Sequence, residues 1–575
     1  MPWRRWLAGL IGLLSLVACQ VPANPAAPTP WVTRPGDLIT PPPTSPVTRE
    51  SQPVLPQAMA SPTSGLVNAA TSTPPVPTAN PQAPFRLSAS PVVPGHLQAE
   101  LQDFAAANGD LFRWVDEGDA EVRLEVGATT PAAAWVYAVV APFATLQDEI
   151  SLVEVQSLWA AGQIAIPAAE LPLWQAVWGV PTTGPVTAPT GQLTTQLWQG
   201  RTPTASPIGL IPFAELAPAL KVMRVDGLSP LMPDVANEAW PLTVYFSPAG
   251  APDAVAAFQA HWPGVYSNRQ PERISRVALT GVTALTRATA YQMEIYGTNY
   301  PGEEVAPVLQ AADIAHVSHE VSFSSDCPYP NPLGGTSFCA RDSYLGLLEY
   351  IGIDVVELTG NHVNDYGAAN LARTVGMYEE AGMRVYGGGR DLAEAGRPAL
   401  FEVNGNRVAF VGCNPAGPNY AWATTLQAGS NPCDYAALYE QIAALRADGY
   451  IVLATLQYAE HYDYLPTASQ RADFRALIEA GAHAVSGSQG HHAMTFDLYR
   501  GGFVHYGPGN LFFDQMEMLG TRETFVDTYV IYDGKLLSVE LWTGLIENYA
   551  RPRLMSPAER AATLGRVFAG IRYEP

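Results

Sequence analysis

The densest set of groups able to do chemistry is ELTGNHVNDYG, residues 357–367. A strand ending at Thr359 and a turn at Gly360 would throw Asn361 and His362 past the strand's carboxyl end, with Asn364 and Asp365 close behind. An amide oxygen beside an imidazole can bind a metal ion and polarise a phosphoryl oxygen. The same residues can also do no more than cap the next helix. Elsewhere His319 and Glu320, Gln457, Glu460 and His461, Gln489, His491 and His492, and Asn510 follow other apolar runs. Those runs, 277–285, 355–359, 408–412, 451–456 and 484–486, are predicted strands alternating with helices. In open α/β sheets ligands bind beyond the carboxyl ends of strands.

A second α/β pattern precedes this one, over residues 96–249. Residues 135–140 read as a buried strand, 153–161 have helical spacing, and 208–213 begin a short strand and turn. The chain has 575 residues, of which 47% are hydrophobic and 15% charged, so its bulk is globular. The net charge is −22, and only Lys221 and Lys535 are lysines. That balance argues against nucleic acid, which needs clustered cations to displace counterions.

The first residues read as an address. Arg4 and Arg5 precede an apolar run over 6–17, about 18 Å of helix, too short for a hydrocarbon core of about 30 Å. Leu16-Val17-Ala18-Cys19 matches a lipobox and so resembles a bacterial lipoprotein precursor, which implies a signal peptide over 1–18 and a lipidated Cys19. An ordinary cleaved signal with an incidental cysteine is the alternative. Seventeen prolines between Gln20 and Pro84 predict an extended stalk, and residues 19–95 are expected to be an unpacked linker. The four remaining cysteines suit an oxidising compartment. Three pairings are possible; Cys327 with Cys339 and Cys413 with Cys433 is favoured because each closes a short loop. The competing zinc site has no Cys-x-x-Cys spacing behind it.

LTGNHVNDYG, together with ALIEAGAHAVSGSQGHHAMTFDLYRGGFVHYGPGNLFFDQ, resembles the CapA family of capsule or poly-γ-glutamate synthesis proteins. The family order is a first strand ending Gly-Asp, then Asn-Leu-Glu, Gly-Asn-His, His-Trp-Gly, Gly-x-His-Pro-His and Ser-Leu-Gly-Asn-Phe. At those places stand Gly281-Val282, Ser318-His319-Glu320, Gly360-Asn361-His362, Gln457-Tyr458-Ala459, the 487–491 segment and the 507–511 segment. The resemblance implies a metallophosphoesterase-like αββα sandwich over 276–549; the capping-box spacing Ser556-Pro557-Ala558-Glu559 predicts a C-terminal helix within 550–575 that packs on it. The phrases YAVVAPFATLQDEISLVEVQSLWAAG and IGLIPFAELAPALKVMRVDGLSP look like part of a type 2 periplasmic phosphate-binding protein. They imply a smaller α/β binding-protein-like domain over 96–249, for which no ligand is assigned. A generic α/β module is the alternative there.

The departures bear on chemistry. Two-metal phosphoesterases hold ions about 3.5–4 Å apart with carboxylates and imidazoles. Here Val282 replaces the first aspartate, and Gln457 and Gln489 stand where histidines are expected. The expectation is one divalent ion (Mn, Mg or Zn) on Glu320, Asn361 and His491, or none. If catalysis survives, His362, oriented by Asp365, serves the leaving oxygen. Gln457, Gln489, Arg287 and Asn510 are expected to meet substrate. Arg287 can equally tie down a loop carboxylate. The resemblance implies a lipid-anchored, extracytoplasmic protein in synthesis, export or anchoring of an anionic or amide-rich polymer, poly-γ-glutamate or capsular polysaccharide. A non-catalytic surface lipoprotein binding a solute or anion, and an active metal-dependent phosphoesterase, are the alternatives.

Overall fold

A computed structural model describes residues 83–575 apart from 117, 190, 203 and 204. The expected signal peptide, the expected lipidation at Cys19 and the proline-rich segment up to residue 82 lie outside the described residues. No helix among the described residues is long and apolar enough to cross a membrane.

The first lobe is built on Ala133–Pro142, whose ten residues are all buried. Such a continuous apolar run needs cover on both faces. It lies inside a ten-stranded mixed sheet, antiparallel to Thr243–Gly250 on one side and to Ile208–Pro212 on the other. Helices including Leu152–Ala160 and Leu171–Trp178 pack against the sheet, the former capped by Ser151, whose side chain accepts from Glu154 N. The lobe is larger than 96–249. Phe85–Ala89 pairs with Val122–Val126, and Tyr266–Ser267 pairs with Ala133–Ala134. The last part of the expected linker is therefore sheet. Proline content describes the local chain, whereas these short strands exist only through partners far away in sequence.

The second unit consists of two sheets face to face. In one, Arg384–Tyr386, Val355–Glu357, Ile314–His319 and Ile274–Thr280 run parallel, and Glu523–Tyr532, Lys535–Glu547 and Arg551–Leu554 extend it antiparallel. The other runs Ala399–Val403, Asn406–Cys413, Ile451–Gln457, Ala484–Ser488, Gly502–His505, Phe496–Tyr499 and Arg572–Glu574. Val277, Ile314, Val355 and Tyr529 of the first sheet share one core with Phe410, Leu453, Ala484 and Phe503 of the second. Ala368–Glu380 covers one outer face, and Tyr435–Ala447 with Ala468–Ala480 covers the other. This is the αββα sandwich. The C-terminal stretch is more than a packed helix: a strand on each side of Pro557–Phe568 joins a different sheet.

Several contacts join lobe and sandwich, among them Trp198 stacked on Tyr573 at 4.8 Å. Phe143 packs edge-on against Phe496, Phe503 and Phe568. Asp148 accepts from Lys221 Nζ at 2.7 Å and Arg560 Nε at 2.8 Å. Burial alone would raise the Asp148 carboxyl; the two cations outweigh it and hold it at about 2.

His319 closes a buried strand, and its Nδ1 lies 2.6 Å from Tyr378 Oη. Burial pushes its imidazole down to about 3, and burial with Arg446 nearby pushes His483 down to about 4. Both groups fold neutral while the unfolded chain binds their protons below about 6.5. Their contribution is fully present above that pH and declines as pH falls toward 4. Urea midpoints should therefore drop between pH 6.5 and 4, and His319→Phe should flatten part of that slope. An unchanged slope in His319→Phe would contradict the assignment.

Candidate functional site

The site forms where the parallel strands of both sheets end. Glu320 follows Ile314–His319, Gly360-Asn361-His362 follows Val355–Glu357, Gln457 ends Ile451–Gln457, and Gln489 follows Ala484–Ser488. Gly360 permits the approach of the first two: a Cβ there would stand 2.6 Å from Glu320 Cα.

Gln457 is the centre. Its Oε1 lies 2.9 Å from Ser488 Oγ, with the amide nitrogen on the other side. That Nε2 faces Glu320 Oε1 at 3.0 Å, Asn361 Oδ1 at 3.3 Å and Gln489 Oε1. An NH2 group carries two hydrogens for these three oxygens. Asn361 and Gln489 consequently turn their own NH2 groups away, without a partner among the described residues. Beneath the network lies Glu357, which accepts from Ser488 Oγ at 2.9 Å and from Thr359 Oγ1, with His316 Nε2 3.4 Å away. Burial opposes its charge; His316 and the two hydroxyls outweigh that and hold the carboxyl below its usual value.

Beside this cluster His362 Nδ1 lies 2.7 Å from Asp365 Oδ2. As a carboxylate, Asp365 accepts, so the neutral ring carries its proton on Nδ1 and leaves a lone pair on Nε2. Rings continue from His362 to Phe338 at 4.2 Å, Phe338 to Phe513 at 6.3 Å and Phe513 to His491 at 5.1 Å. His491 Nδ1 meets Asn510 Oδ1 at 2.8 Å. Gln489 and His491 have φ of 61° and 48°, left-handed values that cost non-glycine residues about 1–3 kcal/mol each. The strain is concentrated in the turn that carries both side chains.

Glu320, Asn361, Gln457 and Gln489 are thus joined directly, and His362, Asp365, His491 and Asn510 form the adjoining wall. Two expected substrate contacts are otherwise engaged. Asn510 is fully buried, with Oδ1 on His491 and Nδ2 donating to His491 O and Thr521 O, so it orients His491. Arg287 donates through Nε and a terminal nitrogen to Asp514, which leaves its charge answered from within the protein. His319 points to Tyr378, His492 Nδ1 lies 2.7 Å from Ala493 O, and His461 Nε2 lies 2.9 Å from Leu465 O. Glu460 reaches the edge, 3.9 Å from His491 Nε2. The reading of the sequence missed Glu357 and Ser488; a carboxylate closing the apolar strand Val355–Glu357 was the available signal.

These donors do not fit a pair of divalent ions. Glu320 is the one carboxylate in the Gln457 oxygen cluster, and an amide nitrogen occupies the point toward which the oxygens turn. Among the described residues no three His, Cys, Asp or Glu side chains form a group able to hold a metal ion.

Residues 265–515 match the family described as "Bacterial capsule synthesis protein PGA_cap". The chain is 28% identical over 254 residues to "Capsule biosynthesis protein CapA" of Bacillus anthracis, covering 43% of this chain and 62% of that protein. It is 25% identical over 213 residues to "PGA biosynthesis protein CapA" of Bacillus subtilis (strain 168), covering 37% and 56%. The chain therefore spans less than two thirds of the length of these relatives. A solved putative 5'-nucleotidase from Staphylococcus aureus is similar at a TM-score of 0.33 and 14% identity, covering 50% of this chain and 58% of that one. Over residues 265–515, the chain is similar to the PGA_cap family of bacterial capsule synthesis proteins.

Proposed function

We propose that this chain works outside the cytoplasm in the synthesis, export or anchoring of a capsular or poly-γ-glutamate-like polymer, held to the membrane through lipidated Cys19. The family match and the curated relatives support the polymer role. The lipobox and an even set of paired cysteines support the location.

The site binds polymer rather than running two-metal hydrolysis. One observation carries this: Gln457 Nε2 sits among the oxygens of Glu320, Asn361 and Gln489. The outward NH2 groups of Asn361 and Gln489 suit carbonyl and hydroxyl oxygens, which polyamides and sugars both present. If a metal ion is held at all, it is a single one, on Glu320, Asn361 and His491. Metal analysis of the purified chain with and without added Mn²⁺, with bis-p-nitrophenyl phosphate as substrate, tests this. The expected result is substoichiometric metal and no turnover. Two bound ions, with turnover abolished in His362→Ala, would restore the phosphoesterase reading.

A further inference from the structure

We infer that the two disulfide loops are separate clamps on Asp365, so that oxidation of the chain completes the His362 half of the site. The inference rests on the reading of that site given above. Cys327–Cys339 and Cys413–Cys433 are both formed. From the first loop, Phe338, the neighbour of Cys339, donates its backbone N–H to Asp365 Oδ2 at 2.9 Å and lays its ring against His362. From the second, Tyr420 donates its hydroxyl to Asp365 Oδ1 at 3.2 Å. The second loop also accepts from Asn364 Nδ2, at Ala428 O (2.8 Å) and Tyr420 O (3.0 Å). Each carboxylate oxygen of Asp365 thus has one partner from a different cross-linked loop, and the remaining partner is His362 itself.

The second loop is also held by the pairing of Gly429–Ser430 with Gly388–Gly389 and by Leu392 N–H donating to Thr424 O at 2.9 Å, but the side chains at both loop tips are exposed. Leu333 in the first is 92% exposed and Leu426 in the second is 96% exposed, so neither tip is pinned by apolar burial. Closing each loop covalently removes the wide range of conformations it would otherwise sample. Phe338 and Tyr420 are therefore positioning residues: they fix Asp365, which fixes the His362 tautomer and ring plane. In assembly, each cysteine pair gives two electrons and two protons to a protein disulfide oxidant, whose own disulfide becomes a dithiol. In the reverse step, a trialkylphosphine takes oxygen from water, becomes the phosphine oxide and leaves two thiols.

Hydrogen exchange by mass spectrometry on the full chain tests the clamps. It would compare the oxidised chain, the phosphine-reduced chain, Cys327→Ser/Cys339→Ser, Cys413→Ser/Cys433→Ser and Tyr420→Phe. Loss of either disulfide should accelerate exchange over 361–367 about tenfold, beyond the change in its own loop. In ¹⁵N-histidine-labelled chain, His362 should pass from the Nδ1–H tautomer to a mixture in both cysteine pairs and in Tyr420→Phe. Loosening confined to 328–337 or 414–432, with 361–367 and the tautomer unchanged, would overturn the inference. If a cysteine variant fails to fold, Tyr420→Phe and stepwise reduction of the native chain decide the matter. Binding of poly-γ-glutamate, measured in parallel, separates the two readings. Altered exchange with unaltered binding removes the polymer role from His362 but leaves the clamps, whereas unaltered exchange removes the clamps alone.

Discussion

Replacing both Gln457 and Gln489 by histidine should raise Mn²⁺ affinity about a hundredfold, equivalent to about 2.8 kcal/mol. The double change removes the NH2 group that now faces Glu320, Asn361 and residue 489, and it adds two imidazole nitrogens to two oxygens already in place. Imidazole with carboxylate and amide oxygen is a donor set that manganese accepts. Residue 489 sits at φ 61°, a region histidine enters more readily than most side chains. Titration calorimetry of the parent and the double variant reads the difference directly. Equal affinity would mean that the amide does not stand where an ion would, and the binding role argued for this site would lose its main support.

Asp514→Ala should cost about 2 kcal/mol, the second large effect, because it strips the partly buried Arg287 of its partner and leaves Ala288 N–H without its acceptor. Asp514 accepts from Arg287 Nε and Ala288 N, both at 3.1 Å, and is nearly buried. Arg287 has φ 45° and lies over Phe338 at 5.0 Å and Phe513 at 4.8 Å, so its charge cannot swing into water without disturbing the ring wall behind His362 and His491. Replacing the pair together, Arg287→Met with Asp514→Leu, should recover part of the loss, since apolar residues of similar volume can substitute for a buried ion pair. Urea unfolding of the three variants measures this. A small loss in Asp514→Ala would show that Arg287 finds another partner or solvent.

Much of the sandwich was legible because its strands are continuous apolar runs closed by polar residues, a pattern set by burial on both faces. The turn at Gly360 was legible for the same reason: the apolar run stops, and a glycine is followed by Asn-His. Other features were hidden. Nothing near residue 85 announces a strand, because Phe85–Ala89 is stabilised by pairing with Phe112–Trp114 and Val122–Val126. Asn510 and Arg287 were expected at the ligand because their types suit anions and hydroxyls. Their actual partners, His491 and Asp514, are 19 and 227 residues away along the chain, and sequence spacing carries no record of such contacts.

By itself, the sequence determined the α/β character, the order of the strand-end motifs and the neutral residues Val282, Gln457 and Gln489 that stand among them. These are properties of residue type and local order, which burial and chemistry constrain directly. Only the tertiary structure decided which groups answer one another. It placed the Gln457 amide among three oxygens, buried Glu357 beneath it, spent Arg287 on Asp514, and brought both disulfide loops to the two oxygens of one aspartate. Those outcomes depend on distances of a few ångströms between segments far apart in the chain, and the packing of two sheets is what sets them.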